Sequence, residues 1–121
     1  MKRQIGPLER GDIIRAVFDP IRGHEQAGIR PAIVLSPGWI NEHASTILVA
    51  SLTSKRTDHA SPIEVLVKAP EAGLSRDSKI LLLQTRAIDR SRIIGEYGKI
   101  TPETLSHVDR ALAIATGLAP Y

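Results

Sequence analysis

The 121-residue chain has no cysteine. That excludes a disulfide-stapled fold, a thiolate nucleophile and a metal site built on thiolates. It also fits a reducing compartment. Aromatic residues are scarce at 3%: Phe18, Trp39, Tyr97 and Tyr121. A module that stacks RNA bases on a row of aromatic rings is therefore not expected. Single-strand binding would have to use arginines and hydrogen bonds, with one or two rings at most. No apolar run approaches the ~18 residues of a membrane span. Met1, Lys2, Arg3 and Gln4 lead into Ile5-Gly6-Pro7 and then charge, without the apolar stretch of a signal peptide. The expectation is a cytoplasmic protein that does not meet the membrane. Phosphate-loop and dinucleotide glycine patterns are missing, as is a serine-nucleophile motif. His43, His59 and His107 have no metal-ligand spacing and read as surface residues.

What is present describes one domain spanning residues 1–121. Hydrophobic residues make up 42% and charged residues 24%, enough apolar material for a core. The net charge is +3 and the isoelectric point near 9.6. Eleven of the sixteen basic residues are arginine, the better side chain for planar contacts to phosphate. A nucleic acid is a reasonable partner on these grounds.

Glycine and proline punctuate short β-type runs. Strands are predicted over residues 12–18 (DIIRAVF), 31–36 (PAIVLS), 46–52 (TILVASL), 62–68 (PIEVLVK), 79–88 (KILLLQTRAI) and 92–98 (RIIGEYG). The second is apolar almost throughout and reads as buried, whereas the fourth alternates and reads as half-exposed. Thr101-Pro102-Glu103 then forms a helix start: an N-cap, a proline at the first helical position and an acid in the first turn. Leu105, Val108, Leu112 and Ala115 recur at helical spacing, and Gly117 is the expected stop. Six short strands and one amphipathic helix suggest a small, strongly bent sheet or barrel with the helix over an open side.

Residues 19–30 (DPIRGHEQAGIR) form a connection near the upper length for an unstructured loop, and such loops usually carry function. Arg30 precedes Pro31, which biases it to an extended conformation at the lip of a buried strand. An arginine held this way is preorganised toward a phosphate. The plainer reading is a surface ion pair with Glu25.

The stretch GHEQAGIRPAIVLSP, residues 23–37, resembles the signature of the MazF/PemK (Kid) family of toxin endoribonucleases. RGDI (10–13), ASLTS (50–54), QTRAIDRSRI (84–93) and the closing helix are similar to the family as well. The resemblance covers about residues 10–117. It implies a small SH3-like, strongly curved β-barrel (CcdB/PemK-like) with a C-terminal helix. It also implies a homodimer that cuts single-stranded RNA, mostly mRNA, at short sequences without a metal or other cofactor. An acidic antitoxin protein is the implied inhibitor.

By the same resemblance Arg30 and Thr53 are the catalytic pair. Arg30 would stabilise charge developing on the phosphoryl group, with acid duty second, because a guanidinium is a poor base in water. The Thr53 hydroxyl would contact a phosphate oxygen, and Ser54 and Lys55 beside it would complete a phosphate cradle. His24 is placed as a possible acid, base or RNA contact. Some relatives have an acidic residue just before the glutamine that here is Gln84; this chain has Leu83 there, so a carboxylate partner for His24 is missing. Glu25 would orient Arg30 or pin the loop, with direct base duty secondary. Gln26 and Gln84 could read base edges. Phe18 is either a base-stacking ring or a core residue at its strand end. Arg86, with Arg90 and Arg92, forms a basic stripe that is either a solvated strand edge or an RNA backbone contact. The loops at 41–45 (NEHAS) and 55–60 (KRTDHA) are suspected of setting sequence preference. Trp39 and Ile40 are candidates for a dimer surface. Two alternatives stay open: a toxin of this fold that acts on DNA gyrase, and an RNA-binding relic without catalysis.

Overall fold

The computed structural model describes residues 6–18 and 28–121. Six strands form one antiparallel sheet: β1 (Asp12–Phe18), β2 (Gly28–Val34), β3 (Thr46–Thr53), β4 (Glu64–Val67), β5 (Ser78–Asp89) and β6 (Ile93–Lys99). Their order is β4-β5-β3-β2-β1-β6. Helix α1 (Gly38–His43) joins β2 to β3, and α2 (Pro102–Ala115) closes the chain. Single 3-10 turns occur at Glu71–Gly73 and Arg90–Arg92. The fold is thus mostly β with a C-terminal helix. Among the described residues the sheet does not close, since β4 and β6 are its edges. The expected mainly β fold with a C-terminal helix is met, while the sheet is open where a barrel was expected.

Both faces of the sheet are buried, which follows from strands that are apolar at successive positions rather than only at alternate ones. Ile13, Ile33, Ala50, Leu52, Ile80 and Leu82 belong to one cluster, which Val108 and Ala111 of α2 cover. Ile14, Ala32, Val34, Ile47, Val49 and Ile88 belong to the second. Among the described residues no buried helix residue joins that second cluster, and Leu8 and Ile93 pack into it. Each large side chain buried in this way contributes roughly 1.5–3 kcal/mol.

The helix predicted from residue 101 forms as expected. The Thr101 hydroxyl accepts from the Thr104 amide at 3.1 Å, and Pro102 opens the first turn. At the other end Gly117 takes a left-handed φ of +79°, and the Leu118 amide reaches back to the Ala113 carbonyl at 2.7 Å. That pairing ends the helix by satisfying its last carbonyls. Arg10 ties α2 to the sheet through a 2.6 Å ion pair with Asp109.

Helix α1 was not expected. It occupies part of the suspected specificity loop at 41–45, and its Asn41 is buried. The Asn41 amide donates to the Leu8 carbonyl at 3.0 Å and the Ser36 carbonyl at 2.9 Å, while its oxygen accepts from the Ser36 hydroxyl at 2.5 Å. Asn41 therefore joins the N-terminal segment to the β2–β3 connection, and its side chain is not available to RNA. The predicted second strand also starts earlier, at Gly28, and the fourth is shortened to Glu64–Val67.

Candidate functional site

The ends of adjacent strands β2 and β3 bring Arg30 and Thr53 to one cleft. Ala32 pairs with Ser51 and Val34 with Val49 across β2 and β3. The ladder ends at Ala32 and Ser51, and Arg30 and Thr53 each lie two residues beyond that end. Arg30 pairs with Ala16 of β1, which holds the arginine backbone in the sheet. Arg30 and Thr53 line one cleft of about 230 Å³ with Ser54, Arg76 and Tyr97. Arg30 is half-buried and Thr53 only 8% exposed. The Thr53 hydroxyl accepts from the Lys55 amide at 3.2 Å, which leaves its own proton to donate outward. Ser54 and Lys55 follow, both exposed.

A second depression, about 450 Å³, is lined by Phe18, Ser51, Leu83, Gln84 and Arg86. It owes its shape to a break in the β3–β5 ladder. Ala50 pairs with Thr85 but Leu52 with Ile80, so β5 carries extra residues opposite Ser51. Such a bulge re-aims side chains, and bulges are common beside functional sites. Here it sets Leu83 outward at 69% exposure and Gln84 at the rim. Ser51 Oγ, facing the bulge, is buried without a hydrogen-bond partner among the described residues.

The sequence-predicted residues thus fall into two groups. Arg30, Thr53 and Ser54 share the first cleft; Phe18, Gln84 and Arg86 share the second. Phe18 is 1% exposed and belongs to the second core cluster, and its edge lines this depression. The Arg86 guanidinium lies over its ring, 5.8 Å from the centroid. Arg90 donates to the Asn41 carbonyl and Arg92 to the Val17 carbonyl, the latter at 3.4 Å. The basic stripe therefore binds the protein's own backbone as well as facing outward. His24, Glu25 and Gln26 lie outside the described residues. Among the described residues no group of three or more His, Asp or Glu side chains is placed to hold a metal ion.

Arg76 and Tyr97 were missed by sequence reasoning. Arg76 sits in a turn fixed on both sides: the Asp77 carboxylate accepts from the Ala69 amide at 2.9 Å, and the Ser78 hydroxyl donates to the Arg76 carbonyl at 3.1 Å. The motif RDS at 76–78 marks that turn, but nothing local links it to Arg30.

Sequence and fold together place this mostly β chain with a terminal helix in a known class. Residues 9–116 match the family described as PemK-like, MazF-like toxin of type II toxin–antitoxin systems, and the chain belongs to it. It is 34% identical over 114 residues to endoribonuclease EndoA of Bacillus subtilis, covering 94% of this chain and 98% of that one. MazF of Deinococcus radiodurans superposes with a TM-score of 0.79 at 30% identity, covering 93% of this chain and 99% of that one. A chain of a MazE-MazF crystal structure from the same organism gives 0.74 at 29% identity, covering 95% and 100%.

Proposed function

We propose that this chain is an endoribonuclease toxin that cuts single-stranded RNA, chiefly mRNA, at specific short sequences. The observation that carries the reading is the shared cleft of Arg30 and Thr53. The 2′-oxygen of one ribose attacks the adjacent phosphorus, and the bond from phosphorus to the 5′-oxygen breaks. One product ends in a 2′,3′-cyclic phosphate and the other in a 5′-hydroxyl. Arg30 presents a fixed fork to the charge that builds on the phosphoryl oxygens. Thr53 donates its hydroxyl proton to one of those oxygens, and Ser54 and Lys55 extend the cradle. The proton of the attacking hydroxyl goes to a base, for which His24 and Glu25 are the candidates, with Glu25 also orienting Arg30. The leaving oxygen takes a proton from solvent or from Arg30 in its second role. Gln26, Gln84 and Arg86 contact RNA further along. Each role has a side chain or solvent as its candidate, so the reading requires no divalent metal.

The sheet is read as the strongly curved, SH3-like form of this family, and the chain as one toxin domain with its core at about residues 10–117. Two buried clusters, one on each face of a single six-stranded sheet, support the curvature. A homodimer is proposed, with exposed Trp39 as one candidate contact. A cognate acidic antitoxin is the proposed inhibitor, supported by the MazE-MazF structure among the relatives. No helix among the described residues is long and apolar enough to cross a membrane, and the cytoplasm is the proposed location.

The test is incubation of single-stranded RNA with purified protein in EDTA, beside Arg30→Ala. Fragments with cyclic-phosphate ends from the wild type alone are expected. Intact RNA in both samples would reject the reading and favour a gyrase-directed or binding-only protein. Cleavage that requires magnesium would reject the mechanism.

A further inference from the structure

The site needs a surface for a base as well as one for a phosphate, and the ring first suspected of stacking, Phe18, is enclosed in the core. Of the other three aromatic residues, Trp39 lies on α1 and Tyr121 ends the chain. Tyr97 alone of the four lines the Arg30–Thr53 cleft, and it is 39% exposed.

Its placement is built into the backbone. Ile13 pairs with Gly98 and Ile14 with Glu96, so Tyr97 is the extra residue of a bulge in edge strand β6. A bulge frees a side chain from the alternation of its strand and re-aims it. The backbone of this bulge is also pinned. A Cβ on Gly73 would stand 2.6 Å from the Tyr97 carbonyl oxygen, and one on Gly98 would stand 2.8 Å from the Ala72 carbonyl oxygen. Two glycines thus let the turn at 71–73 and β6 meet backbone to backbone. The tyrosine has a fixed origin and an open ring, which limits the ordering needed when a ligand binds. Ile29, 54% exposed, lines the same cleft and offers a second apolar surface.

We propose that Tyr97 is a stacking platform for one nucleobase beside the phosphate held by Arg30 and Thr53. The assignment rests on the endoribonuclease reading and adds to it a base subsite. Stacking tolerates any base, so Tyr97 sets where the strand lies rather than which base is chosen.

The test uses a single-stranded oligonucleotide with 2′-deoxy substitution at the cleaved ribose, so that it binds without being cut. Abasic sites are introduced one position at a time, and affinity is measured for wild type, Tyr97→Phe and Tyr97→Leu. Wild type and Tyr97→Phe should lose about 5- to 100-fold at one position beside the blocked ribose. Tyr97→Leu should bind the intact strand more weakly by a similar factor and lose little more at that position. A merely structural tyrosine would weaken binding equally at every position, and that result overturns the proposal. Wild-type cleavage of unmodified RNA is run alongside. If wild type cuts RNA and Tyr97→Leu shows the same abasic profile as wild type, the stacking assignment falls alone. If wild type neither binds nor cuts, both readings fall.

Discussion

Arg30 gains its place from its neighbours in sequence and across the sheet. Pro31 favours the extended backbone, and pairing with Ala16 keeps it there. Arg30→Ala should lower cleavage by at least about 100-fold, the usual scale for removing a preorganised charge stabiliser. Arg30→Lys should recover only part of it, because an ammonium cannot make the paired contacts of a guanidinium. Circular dichroism should be unchanged in both. Ser51 offers the opposite kind of test. Its buried hydroxyl has no partner among the described residues, so Ser51→Ala removes nothing that is hydrogen-bonded. Thermal denaturation should find the variant as stable as wild type or more stable, by up to about 1 kcal/mol. A loss above that would mean the hydroxyl is satisfied in solution. Arg30 and Thr53 were legible in the sequence because a local motif marks each of them. Tyr97 and Arg76 were not, because only the approach of β6 and the 74–78 turn to β2 brings them to the cleft.

At the scale of elements, alternation and turn residues made all six strands legible, with ends displaced by a few residues. The bulges were not legible. Residues 79–88 read as one unbroken strand, and only pairing with β3 shows that extra residues are looped out there. Helix α1 was hidden for a related reason: six residues are too few to show a period, and the element is held by the buried Asn41 rather than by propensity. The close approach of β6 to the 71–73 turn predicts that Gly73→Ala is costly. The new methyl would meet the Tyr97 carbonyl, and φ is +73° there. Denaturation should show a loss of about 1–3 kcal/mol. On the far edge, β4 and β5 are joined by Glu64 and Lys79 at 3.1 Å, with the lysine nearly buried. Burial works against the Glu64 charge, yet the Ser61 amide and the Lys79 ammonium hold its carboxyl below the ordinary value of 4.5. A lowered folded-state value means that this contribution is complete above pH 4.5 and fades as pH falls through the folded-state value. Glu64→Gln should therefore be less stable than wild type at pH 7, with the gap closing in acid. A gap that stays constant down to pH 3 or so would show that the carboxylate's charge is not what stabilises the edge.

For the molecule as a whole, a net charge of +3 on 121 residues is small. Its distribution matters more than its size. Arg30, Arg76 and Lys55 lie in or beside the cleft, while Lys79 and Lys99 are paired with carboxylates elsewhere. RNA and an acidic antitoxin segment would therefore draw on the same cations, and binding of one should exclude the other. Salt separates the two. RNA carries condensed counterions that are released on binding, so its affinity should fall linearly in the logarithm of salt, with a slope of about 0.7 per phosphate contacted. An acidic peptide has a lower charge density and no comparable atmosphere, and part of its affinity comes from segments that fold on binding. Its dependence should be shallower, so raising salt should shift a competition between the two toward the antitoxin. Arg76→Ala gives the local version of the experiment. If Arg76 meets a phosphate, the variant should reduce the RNA slope by roughly one contact while leaving the denaturation midpoint unchanged, since its side chain is exposed. An unchanged slope would remove Arg76 from the phosphate contacts and leave Arg30 and Lys55, and Lys55→Ala should show the reduction in either case.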